Sequence, residues 1–199
     1  MKKKIVLLLV VVVLALLPTG CGVQRAMNMA NCNFKLQEIR SVSWAGIDFL
    51  HLSINDLKDL DLATVGKCLK ALASKDFTAT VAFNIAAENP GKKDAEIAGM
   101  DYVVLYKGKQ VMTGSSTAQN GIRVAGHGGK TTIPANVKID FAKVVTNGTL
   151  KSVDDVIDLI KDIKKVESGE KSNFSIQICP YLTIGKKVLK VGYITLDKI

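Results

Sequence analysis

The chain has 199 residues, with 27 Lys and Arg against 18 Asp and Glu and a formal net charge of +9. Three of those lysines fall in an N-terminal segment, and the rest leaves about 180 residues of moderately basic chain, a size that suits one domain with a full core. The remaining lysines scatter without a continuous tract or interleaved aromatics, which argues against nucleic-acid binding and allows at most weak attraction to anionic lipid.

Lys2, Lys3 and Lys4 precede an apolar run from Ile5 to Leu17, which stops at Pro18-Thr19-Gly20-Cys21. A positive start, a short apolar stretch and small residues before a cysteine make an export signal, and the cysteine marks the lipoprotein variant, in which it is acylated and becomes the first residue. Pro18 stands where Leu is usual in that motif. A run of about 13 apolar residues falls short of the roughly 20 that a spanning helix needs. Residues 1–20 are therefore expected to be a signal peptide, 21–33 a tether, and 34–199 a single domain held at a membrane by the lipid on Cys21. Gly22-Val23-Gln24-Arg25 lacks the acidic tag of surface-exposed lipoproteins. A periplasm-facing position on the inner leaflet of the outer membrane is the expectation.

The body reads mostly as strands. Phe34–Val42 and Ala45–Ile54 are apolar-rich and joined at Ser43-Trp44. In 78–87, Ala79, Val81, Phe83, Ile85 and Ala87 take one face and Thr78, Thr80 and Asn84 the other, the period of a strand with one buried side. Glu88-Asn89-Pro90-Gly91 is a turn. Residues 95–106 and 110–116 form a hairpin about Lys107-Gly108. In 131–141, Ile133, Ala135, Val137, Ile139 and Phe141 point inward, and Pro134 indicates an edge strand or a bulge. Residues 174–184 and 188–196 supply two more strands. Helices are predicted over 62–74, with Asp61 as cap, and over 152–166. There Val153, Val156, Ile157, Ile160 and Ile163 recur at helical spacing behind a capping-box-like Ser152 and Asp155. About eight strands that do not alternate with helices predict a mainly β fold, an antiparallel sandwich of immunoglobulin or fibronectin-III type with one or two accessory helices.

With Cys21 taken by lipid, Cys32, Cys68 and Cys179 remain. One disulfide plus a free thiol, or three buried thiols, both fit an exported protein. Cys32–Cys68 is the pair to test first, and the apolar surroundings of Cys179 favour burial. Without a C-x-x-C spacing, no zinc site is expected.

Few groups can carry chemistry. His51 lies in a strand-like stretch and reads as a paired or partly buried residue; His127 lies in Gly126-His127-Gly128-Gly129 and reads as exposed. Neither has an acidic cluster in sequence, so no metal is expected. Gly129-Lys130-Thr131 imitates the end of a phosphate loop, but Val124 stands where that motif needs Gly and a strand follows where it needs a helix. Asp154, Asp155, Asp158 and Asp162 read as the solvated face of a helix. Asp56, Asp59 and Asp61 fail calcium-loop spacing. No catalytic residue and no cofactor are expected.

The stretch from Thr78 to Val144 resembles late embryogenesis abundant group 2 proteins, which contain the water-stress and hypersensitive-response domain. The resemblance lies in Phe83-Asn84-Ile85 followed by Glu88-Asn89-Pro90, then Ile97, Tyr102-Val103-Val104, Gly108, Gly114 and Ile133-Pro134-Ala135. It departs from the family at Gly91-Lys92-Lys93 and at the helix from Ser152. The resemblance implies a β-sandwich and a role in stress tolerance by protecting other proteins, and it supplies no ligand residues. The expected function is a non-enzymatic, protective or accessory protein-binding lipoprotein of the envelope. The rivals are a small-molecule or glycan carrier, with a pocket between sheet and helix, and a hydrolase, with His51 or His127 beside a Ser, Cys or acid. Oligomeric state is not legible.

Overall fold

In the computed structural model, residues 19–52, 61–74, 76, 78–140, 153–184 and 186–197 are described. In chain order these hold α1 (Thr19–Ala30), β1 (Asn33–Trp44), β2 (Ile47–Asp48), α2 (Leu62–Ala73), β3 (Thr78–Asn89), β4 (Ala95–Tyr106), β5 (Lys109–Val124), β6 (Gly129–Asp140), α3 (Val153–Glu167), β7 (Phe174–Ile184), β8 (Lys187–Lys190) and β9 (Ile194–Thr195). One sheet runs β2-β1-β3-β6 and the other β5-β4-β7-β8, with β9 also on β7. Every strand pair is antiparallel. The fold is mainly β, two antiparallel sheets closing on one apolar core, as the alternation predicts.

The period-2 faces become that core. Ala79, Val81, Phe83, Ile85 and Ala87 on β3, and Ile133, Ala135, Val137 and Ile139 on β6, are all buried. Removing such side chains from water is the main force holding the sheets together. Phe141 lies outside the described residues. β6 is the terminal strand of its sheet, so Pro134, which lacks an amide hydrogen, sits where a missing ladder bond is tolerated. At the β4–β5 turn Lys107 and Gly108 both have positive φ, 51° and 73°, the pair that a two-residue hairpin requires. Across that hairpin Tyr102 faces Gly114, its ring lying where a glycine Cβ would be.

Two expectations are corrected. Residues 19–30 are a helix seated on β4 and β7, where residues 19–20 were expected to end a signal peptide and 21–33 to be a tether. Met29 is 1% exposed, the Asn28 side-chain amide donates to the Asp94 carbonyl at 3.0 Å, and Arg25 pairs with Glu96 at 2.5 Å. The second correction is the strand expected over 45–54: of its described residues, 45–52, only Ile47 and Asp48 pair with β1, and 53–54 lie outside the described residues. Ala45 and Gly46, with φ of 54° and 73°, reverse the chain. The Asp48 carboxylate then accepts the amides of Val42 and Leu50, each at 3.1 Å, bending the segment away.

The C-terminal segment ties the sheets together. β9 pairs with β7, and two residues later the Asp197 carbonyl accepts the Leu36 amide of the opposite sheet at 2.8 Å. α3 carries the chain from the sheet of β6 to that of β7 and packs against β7 and β1. Leu159, Ile160 and Ile163 face inward. Ser152 and the side chains of Val153, Val156 and Ile157 lie outside the described residues. Asp162 breaks the solvated-face expectation: it is 4% exposed and its carboxylate accepts from Lys165 and the Asn173 amide, each at 3.1 Å.

Candidate functional site

Among the described residues the outer edge of β1 has no full-length neighbour, because β2 covers only Ser43 and Trp44. A strand edge leaves unpaired backbone groups, and here one distant and one nearby side chain each satisfy an edge amide. Glu167, at the end of α3, accepts the Ile39 amide at 2.6 Å across 128 residues of sequence, and Asp48 accepts that of Val42. Lys164, one helical turn before Ser168, donates its ammonium to the Leu52 carbonyl. Between the β1 edge and the last turn of α3 lies an open groove of about 530 Å3, lined by Glu38, Ile39, Arg40, Leu50, His51, Lys164, Glu167 and Ser168.

Its electrostatics are mixed. His51 Nδ1 lies 2.7 Å from Asp48 Oδ2, and the imidazole is 70% exposed. Burial pushes the Asp48 carboxyl up, but hydrogen bonds from His51 and from the Val42 and Leu50 amides outweigh it and hold the group below the usual carboxylate range. Burial pushes the Lys164 ammonium down, with the Asp48 charge opposing. Glu38 accepts from the Asn84 side chain at 2.5 Å. The single Ser168 hydroxyl hydrogen has the Glu170 carboxylate at 2.8 Å and the Lys165 carbonyl at 3.1 Å as its acceptors, so it is directed at its own helix end, and no hydrogen bond joins it to His51. The groove thus holds amphiphilic walls with an imidazole at the mouth.

The other sequence candidates fall elsewhere. His51 stands in a bend after β2 and is paired, as expected, though exposed. His127 is exposed at the tip of the β5–β6 turn with φ of 59°. Gly129-Lys130-Thr131 opens β6. Cys32 is a free, buried thiol whose hydrogen points to the Asn28 carbonyl at 3.5 Å, and burial pushes its pKa up to about 11. The side chains of Cys68 and Cys21 lie outside the described residues. Cys179 is free and buried. Asp61 caps α2 by accepting the Thr64 amide at 2.7 Å; Asp56 and Asp59 lie outside the described residues. Among the described residues there is no group of three or more His, Cys, Asp or Glu suited to a metal, and no helix long and apolar enough to cross a membrane.

The Asn89-Pro90-Gly91 turn has a definite mechanical role. Asn89 is fully buried. Its side chain donates to the carbonyls of Lys93 at 2.8 Å and Val124 at 3.1 Å and accepts the Gly91 amide at 3.0 Å. Its backbone carbonyl accepts the Gly128 amide at 2.8 Å. Asp94 adds a second tie, accepting the Gly126 amide at 3.0 Å and pairing with Arg123. One asparagine therefore locks the β3–β4 turn to the β5–β6 turn.

No family model and no curated protein matches the chain. Among solved structures, a protein from Archaeoglobus fulgidus is similar at 15% identity and a TM-score of 0.38, over 60% of this chain and 82% of that one. A putative late embryogenesis abundant protein is similar at 11% identity and a TM-score of 0.38, over 98% of this chain and 89% of that one. Scores of this size leave the strand order and register, not the superposition, as the basis for the architecture.

Proposed function

We propose that this chain is a non-enzymatic lipoprotein of the cell envelope, held through an acylated Cys21 on the periplasmic side of the outer membrane, that binds other proteins in a protective or accessory role. The observation that carries the reading is how the groove spends its ionisable groups. Glu167, Lys164 and Asp48 are engaged with backbone amides and carbonyls of the β1–β2 region, which stiffens a binding surface and leaves these groups committed. Exposed Leu62 and Leu69 on α2, 91% and 60% accessible, add apolar surface for unfolding segments of a client. The export signal and the resemblance to late embryogenesis abundant group 2 proteins agree with this role.

Light scattering of an unrelated enzyme during heating or drying tests it. Excess purified protein is expected to lower the scattering at least about twofold relative to an inert protein of the same size, and no effect at excess rejects the reading. The second reading, a small-molecule carrier, is favoured by the groove volume of about 530 Å3, which falls within the range of ligand pockets. Among the described residues its lining has no Phe, Tyr or Trp, which disfavours a stacked sugar ring. Native mass spectrometry of protein purified from its own envelope separates the two, since a carrier retains a small adduct.

A further inference from the structure

The antiparallel register decides which loops share an end of the sandwich. Asn33 at the start of β1 faces Glu88 at the end of β3, and Ala95 at the start of β4 faces Val124 at the end of β5. β7 runs antiparallel to β4, with Tyr181 opposite Gly99, and ends at Ile184 opposite Lys187. The β3–β4, β5–β6 and β7–β8 turns therefore lie together. α2 falls at the other end, between β2 and the start of β3, with the Trp44 indole donating to the Asp76 carbonyl.

α1 is fastened to the first end. Gln24 accepts from the Lys93 ammonium at 3.0 Å, and Asn28 and Arg25 hold Asp94 and Glu96. Cys21 precedes Gln24 by three residues of the same helix, a rise of about 4.5 Å, so an acyl chain on Cys21 leaves no slack between bilayer and body. The charges at this end are unbalanced in one direction. Its acids are already matched, Glu88 with Lys130 at 3.5 Å, Asp94 with Arg123 and Glu96 with Arg25. Lys92, Lys186 and Lys187 are exposed and have no acidic partner among the described residues, and Lys93 reaches only the neutral Gln24 amide.

We infer that this end of the sandwich, through Lys92, Lys93, Lys186 and Lys187, is a docking surface for the anionic headgroups of the bilayer that the Cys21 lipid enters. The orientation rests on the lipid-anchor reading; the headgroup binding does not. Each lysine near an anionic surface contributes about a fivefold gain in partitioning, and the attraction weakens as salt screens it. A lipid and a basic patch acting together hold a protein more firmly than either alone.

The test uses the chain from position 21 with Cys21→Ser, sedimented with vesicles of phosphatidylcholine alone or with one third phosphatidylglycerol. Binding is expected only to the anionic vesicles and to fall at high salt. Lys92→Glu with Lys93→Glu, and Lys186→Glu with Lys187→Glu, are each expected to lower partitioning at least about tenfold. The same charge change at the far end, Lys67→Glu with Lys70→Glu, is expected to lower it by no more than about twofold. No anionic preference, an equal loss from the α2 pair, or tighter binding to a DNA duplex than to vesicles overturns the inference. If the native chain proves unlipidated while the Lys92 and Lys93 dependence holds, the anchor reading fails and the docking surface stands.

Discussion

α1 and α2 are both 12-residue helices with nearly opposite fates. α1 is the more polar, yet it buries Met29 and plants Gln24, Arg25 and Asn28 on the β3–β4 region. α2 is richer in apolar residues, yet among its described side chains it buries Thr64 and Ala71 and turns Leu62 and Leu69 to solvent. Hydrophobicity alone does not seat a helix; a complementary cavity and backbone groups waiting for partners do. The more polar helix is welded to the body, and the helix with spare apolar surface faces away from it.

Four perturbations bear on that contrast. Met29→Ala empties a fully packed site and is expected to cost about 3 kcal/mol in urea unfolding; a change under about 1 kcal/mol would mean that α1 is not seated. Asn89→Ala removes the lock beneath α1, takes away the side-chain partner of the Val124 carbonyl and of the Gly91 amide, and is expected to cost about 2 kcal/mol by the same measurement. Cys32, at the exit of α1, gives a pH signature. Its folded pKa of about 11 lies above its unfolded value, so its stabilisation is complete below the unfolded pKa and lost as pH rises toward 11. Near pH 10 the loss is roughly 1 kcal/mol, and Cys32→Ser is expected to flatten that alkaline slope. Leu62→Ser with Leu69→Ser, on the exposed face of α2, is expected to change stability by less than about 0.5 kcal/mol; a loss above about 1 kcal/mol would show that the stripe is packed.

The period-2 faces of β3 and β6 were legible because each strand has one core-facing side, and burial enforces strict alternation. The Lys107-Gly108 hairpin and the buried face of α3 were legible for similarly local reasons. α1 was not, since its docking depends on carbonyls and carboxylates some 65 to 71 residues away. The only hint is Val23, Ala26 and Met29 recurring at three-residue steps. The strand expected over 45–54 failed because Asp48 spends its carboxylate on Val42 and Leu50, a choice that composition does not reveal. Asp162 looked like surface because its partner Asn173 follows the end of α3. The groove was hidden most deeply: Arg40, His51 and Glu167 converge only because α3 closes the β1 edge.

N-terminal mass spectrometry of the protein extracted from its own envelope tests the anchored-body account most directly. The account predicts a mature chain whose first residue is Cys21, carrying thioether-linked diacylglycerol. An intact Met1 terminus without lipid would contradict it.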